Sequence, residues 1–121
     1  MHGIRHHHSQ GRFWFDLSEV PTETAVISAE LRLYINLTMV QENTDLADKE
    51  TFYNIGSQQF SITLYEIGLE DSLIYIDQME VDSHQEGWIA FNVSLPLRHW
   101  LLKPEQNFGL QLICRLSTSG S

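Results

Sequence analysis

The chain has 121 residues, with sixteen Asp and Glu against seven Lys and Arg, a net charge of −9 and an apolar fraction of 42%. That length holds one hydrophobic core and not two, and so acidic a chain lacks the broad positive field that nucleic acid or an anionic membrane surface requires. No apolar run approaches the roughly 20 residues that span a bilayer, and the opening "MHGIRHHHSQ" has no apolar secretion segment. A secretion signal is expected only outside this chain.

Residues 1–11 read as a flexible, basic, His-rich lead-in. His6, His7 and His8 are adjacent in such a segment, which makes a poor chelating geometry, so no metal site is assigned to them. From Phe13 onward the dominant period is two. Phe13, Phe15 and Leu17 alternate with Arg12, Trp14 and Asp16, and "TAVISAELRLYIN" places Ala25, Ile27, Ala29, Leu31, Leu33 and Ile35 on one strand face. Pro21 among short polar residues marks a turn between these runs.

The polar, acidic stretch 38–59 has no sustained period and reads as a long loop with one helical turn near Asp45 to Lys49. "FSITLYEI" then alternates Phe60, Ile62 and Leu64 against Ser61, Thr63 and Tyr65, and "LIYIDQMEV" follows after a turn. In "GWIAFNVSLPLRHWL", Ile89, Phe91 and Val93 share one face of a strand. Ser94 is placed to cap a short helix whose apolar stripe is Leu97, Trp100 and Leu101. Pro96 is tolerated in a first helical turn. The last strand, "LQLICRL", has Leu110, Leu112, Cys114 and Leu116 on one side, and residues 117–121 are expected to be a disordered tail. Five or six short strands and one short helix argue for an antiparallel β-sandwich rather than an α/β fold.

Chemistry-bearing motifs are few. There is no nucleophile elbow, H-E-x-x-H pair or glycine-rich phosphate loop, so no enzyme activity, metal or cofactor is expected. Glu80, Asp82 and Glu86 read as a solvated acidic loop, and His99 as structural. The single cysteine, Cys114, excludes an internal disulfide framework; it reads as a small buried hydrophobe, with an intermolecular disulfide as the sharper alternative. Asn36-Leu37-Thr38 and Asn92-Val93-Ser94 are acceptor triplets for N-linked sugar, the first at a strand end and the second at a strand-to-helix corner, both places where a side chain can reach solvent.

Read in order, "RFWFDLSEVP…AVISAELRLY", "FSITLYEI" and "GWIAFNVSLPLRHWLLKPEQNFGLQL" resemble the prodomain of the transforming growth factor-β superfamily, and within it that of bone morphogenetic proteins of the 60A type. The agreement runs from Arg12 to Leu112, and the His run resembles the lead-in of that subgroup. The resemblance implies a jelly-roll-like all-β sandwich with one short helix over residues 12–116, the "arm" of a secreted precursor. It implies an extracellular partner, the mature growth-factor dimer, bound non-covalently through apolar anchors, with matrix proteins as further partners. Prodomains of this family assist folding and secretion of their growth factor and modulate receptor access. Trp14, Tyr34, Tyr65, Trp88 and Trp100 are the candidate contacts, two facing the partner and the rest in the core. Family members continue past "GLQL" into a further strand, so this sandwich is expected to lack a terminal strand. A carbohydrate-binding jelly-roll with sugar-stacking aromatics is the alternative from another class, and a hydrolase is a third that would need a strongly perturbed acid or base.

Overall fold

Apolar side chains at every second position build the centre of the fold from two strands, β4 (Gln59–Ile67) and β7 (Leu110–Leu116). The computed structural model describes residues 5–9, 11–21, 23–36, 39–40, 59–82 and 84–116. β4 and β7 run antiparallel with Phe60 opposite Leu116, Ile62 opposite Cys114 and Leu64 opposite Leu112, so these side chains share one face. On the other side of β4 lies β5 (Leu73–Asp82), reached through a single 3₁₀ turn, Leu69–Asp71. β2 (Arg12–Asp16) adds to β7 and β1 (Arg5–Ser9) to β2, giving a five-stranded antiparallel sheet in the order β1-β2-β7-β4-β5.

A second, two-stranded ribbon pairs β3 (Glu30–Ile35) with β6 (Gly87–Asn92), and β6 runs directly into helix α1 (Ser94–Leu102). The core lies between the sheet, the ribbon and α1. Phe60, Ile62, Leu64, Leu110, Leu112 and Cys114 come from the sheet, Ile35 and Phe91 from the ribbon, and Trp100 from α1. Each such side chain contributes roughly 1.5–3 kcal/mol by leaving water. The fold is therefore the all-β antiparallel sandwich that the alternation indicates, with α1 packed against it.

Four local features differ from the sequence reading. Residues 5–9 of the lead-in, expected to be flexible, are a strand with Arg5 opposite Asp16 and Ser9 opposite Arg12. The two-residue turn that this register requires has Gly11 at φ 81°, a conformation glycine adopts without penalty. Residues 25–29 are not strand. Ile27 is 89% exposed, and the carbonyls of Val26 and Ile27 accept hydrogen bonds at 2.9 and 3.0 Å from the Arg98 guanidinium of α1 instead of from a neighbouring strand. Val40, inside the stretch read as polar loop, is buried in the core, while the helical turn near Asp45 falls outside the described residues, as do residues 1–4 and the tail. Finally, Ser94 does not cap α1. The Asn92 side chain does the local work, its Oδ1 accepting from the Ser94 amide at 2.9 Å, while Ser94 Oγ is buried and accepts from the Ala29 amide at 2.9 Å.

Gly109 stands where α1's trailing turn re-enters the sheet. Its φ is 94°, and a Cβ there would lie 2.5 Å from the Phe13 carbonyl oxygen, so only glycine lets β7 approach β2 this closely.

Candidate interaction surface

Alternation fixes what the ribbon shows to solvent. Leu31, Leu33 and Ile35 face inward with Ile89 and Phe91, which leaves Glu30, Arg32 and Tyr34 outward beside Asn92, Ala90 and Trp88. Tyr34 and Trp88 are register partners, and their rings meet edge to face with centroids 5.4 Å apart at 78°. Tyr34 is 45% and Trp88 69% exposed. Arg32 folds along the same face to Glu30, at 3.3 Å.

A second aromatic pair stands on the five-stranded sheet, on the face away from the core. Tyr65 lies opposite Tyr75 and Gln111, and the two tyrosine rings are edge to face at 6.4 Å. Register shifts between Leu64 and Tyr65, so that β5 carries one extra residue, Ile76, which packs on the core. The bulge sits beside exposed Leu73, Ile74 and Tyr75 near the start of the edge strand. Tyr75 was not among the residues singled out from sequence, although "LIYI" has more apolar residues than a half-buried strand needs.

The remaining candidate aromatics are placed differently. Trp100 is only 3% exposed and belongs to the core. Trp14 is half-exposed, its indole N–H donates to the Asn107 carbonyl at 3.0 Å, and it lines a cleft of about 390 Å³ with Leu17, Trp100, Leu101 and Pro104. Cys114 has no exposed surface, and burial pushes its thiol up to about 12, so it is a core residue and a disulfide to another chain would require β7 to open.

The polar centre of the interior is Glu66 with His99. Glu66 continues the inward parity of Phe60, Ile62 and Leu64, and this parity is the signal that marks it in the sequence as a buried carboxylate in need of a partner. His99 Nδ1 lies 2.8 Å from Glu66 Oε2, and His99 Nε2 lies 2.7 Å from Gln106 Oε1. Both ring nitrogens thus face acceptors, the arrangement an imidazolium satisfies, and the hydrogen bond to Glu66, then that to Gln106, raises the His99 pKa above 6.5. The pair bridges α1 to β4.

Of the two sugar-acceptor triplets, Asn92 is exposed on the ribbon's outer face. Asn36 is half-buried one residue past β3, its Oδ1 accepting from the Met39 amide at 2.8 Å. Thr38 lies outside the described residues. Glu80 and Asp82 stand on the solvent-facing end of β5, and Asp82 Oδ1 accepts from the His84 amide in the following turn. Among the described residues, no three His, Cys, Asp or Glu side chains converge as a metal site, and no helix is long and apolar enough to cross a membrane.

The described residues thus form a sandwich on which α1 packs, with two aromatic pairs on its outer faces. The TGF-beta propeptide family model matches residues 1–120, and the chain belongs to that family, a class of propeptides and not of enzymes. It is 29% identical over 113 residues to Protein 60A of Drosophila melanogaster, a match covering 90% of this chain and 22% of that protein. It is 28% identical over 100 residues to bone morphogenetic protein 8A of Mus musculus, covering 83% of this chain and 23% of that protein. The chain therefore spans less than a quarter of the length of these relatives.

Proposed function

We propose that this chain acts as the arm of a secreted bone morphogenetic protein-type precursor. It binds the mature growth-factor dimer non-covalently, assists its folding and secretion, and tempers its access to receptors. The observation that carries the reading is the family match over nearly the whole chain, joined to relatives that are themselves bone morphogenetic proteins. The Tyr65–Tyr75 pair with Leu73 is the growth-factor contact, because it joins exposed aromatic and aliphatic surface to β5, the last strand of the sheet among the described residues, the combination that anchors and aligns an extended partner. The location is extracellular.

The test is surface-plasmon resonance of the chain against a recombinant bone morphogenetic protein dimer. Saturable binding is expected, weakened about tenfold or more by Tyr75→Ala, as for an interface hot spot. Absence of saturable binding by the folded chain would sink the proposal, and binding unchanged in Tyr75→Ala would move the contact elsewhere. Saturable binding to a glycan panel with none to the growth factor would favour the carbohydrate module instead.

A further inference from the structure

The edge-to-face geometry of Tyr34 and Trp88 explains how the rings sit together but not why so much of them faces outward. A pair at 45% and 69% exposure is a large apolar surface for a two-stranded ribbon with nothing packed over it among the described residues. The neighbouring sequence names an occupant. β3 ends at Ile35, and the next residue, Asn36, is half-buried, its Oδ1 and main-chain oxygen accepting from the Met39 and Val40 amides as the chain leaves the ribbon. Asn36 opens the triplet Asn36-Leu37-Thr38. An aromatic ring thus stands two positions before an acceptor asparagine, with a second ring beside it.

We propose that Asn36 carries an N-linked glycan whose first N-acetylhexosamine units lie over the Tyr34–Trp88 pair, so that the chain's own sugar covers the outer face of the ribbon. The inference rests on the secretory reading above. At the usual strand rise, Asn36 and Tyr34 are about 7 Å apart along the backbone, within the span of the first sugars. A pyranose has one face of C–H groups, and aromatic rings take it up as they take up any flat apolar surface.

The atoms of Asn36 are disposed for this. Its Oδ1 accepts from the Met39 amide and its main-chain oxygen from the Val40 amide at 3.1 Å, while Nδ2 donates to no group among the described residues. Glycosylation uses Nδ2 alone. The amide nitrogen attacks C1 of a lipid-diphosphate-linked oligosaccharide, the N–C1 bond forms, the C1–O bond to the diphosphate breaks with its electron pair leaving on that oxygen, and the nitrogen gives up one proton. Oδ1 is untouched, so its hydrogen bond to Met39 and the sugar coexist and fix the direction in which the glycan leaves the backbone. Asn92 makes the contrast. It stands on the ribbon's outer face but lies four residues from Trp88, opposite Glu30, so a sugar there meets charged side chains first.

The test is to produce the chain behind a secretion signal in eukaryotic cells and map asparagine occupancy, in both lysate and medium, by the Asn-to-Asp conversion that a peptide-N-glycosidase leaves when it hydrolyses the sugar-bearing amide. Melting temperature is then measured before and after sugar removal in the wild type and in the double variant Tyr34→Ala/Trp88→Ala. Asn36 is expected to be occupied, and deglycosylation to lower the wild-type Tm by roughly 3 °C while leaving the double variant unmoved. An acetamido methyl resonance shifted upfield by ring current in the folded glycoprotein, and returned by urea, reads the same contact without relying on a variant that folds. An empty Asn36, an equal Tm drop in both proteins, or an unshifted methyl overturns the inference. Failure of export with Asn36 occupied counts against the prodomain reading and leaves the glycan contact standing.

Discussion

From Phe60 to Leu64 and from Leu110 to Cys114, the inward side chains of the five-stranded sheet are apolar without interruption. The ribbon and α1 join the rest of the molecule differently, through Phe91, Ile35 and Trp100 but also through Ser94 to Ala29, Arg98 to Val26 and Ile27, and His99 to Glu66. Apolar burial is indifferent to proton concentration, whereas one of the ribbon half's ties carries a titratable ring. Among the described residues each half also shows solvent an aromatic pair, Tyr65–Tyr75 on the sheet and Tyr34–Trp88 on the ribbon. The difference teaches that the sheet holds the fold together, while the ribbon and helix are fastened to it by contacts that conditions can loosen.

The largest effect should come from the sheet. Phe60 is fully buried at the end of β4, between Val81 and Leu116, and Phe60→Ala is expected to cost roughly 3–5 kcal/mol. Urea denaturation reads it, and a loss below about 1 kcal/mol would mean that β4 is not the centre of the core. Gly109→Ala comes next. Positive φ and a Cβ 2.5 Å from the Phe13 carbonyl force β7 away from β2, at roughly 1–3 kcal/mol. Amide exchange should show protection lost first at Phe13 and Leu110, with the β4–β5 pairing intact; uniform loss would contradict the local account.

The same contrast governs what could be read in advance. The sheet was legible because its strands are written in alternation: Phe60, Ile62 and Leu64, then Leu110, Leu112 and Cys114, specify inward faces with no further information. The ribbon half was legible as far as Ile89, Phe91 and the stripe of α1. What escaped depends on a partner distant in sequence. Ala25, Ile27 and Ala29 keep strand parity, yet Arg98, 72 residues from Val26, takes the carbonyls that a strand would have used. Residues 5–9 carry no apolar alternation at all, so only backbone pairing across Gly11 makes them a strand. For the surface, composition identifies aromatics but not their side. Tyr65 and Trp100 look equivalent in the sequence, and one lies on the outer face of the sheet while the other is buried by the fold around α1.

The smallest expected effect tests the titratable tie directly. His99 holds its proton more tightly in the folded chain than in the unfolded one, because Glu66, then Gln106, accepts from its ring, against opposition from burial and from Lys103. A group whose folded pKa is raised stabilises the fold fully below its unfolded value of 6.5 and ceases to do so as pH rises through the folded value. The ring is 37% exposed, so the swing is about 1 kcal/mol or less. Glu66→Gln keeps a hydrogen-bonding side chain beside the ring but removes the charge, and it should flatten this dependence. The measurement is Tm at constant ionic strength between about pH 5 and pH 8, taken as the difference between wild type and Glu66→Gln so that exposed His84 and other groups cancel. The wild-type advantage is expected to be greatest at the acid end and to shrink as pH rises. A difference that stays constant, or grows with pH, would show that His99 is held to the sheet as a neutral ring, and the ribbon half would then be fastened as indifferently to pH as the sheet itself.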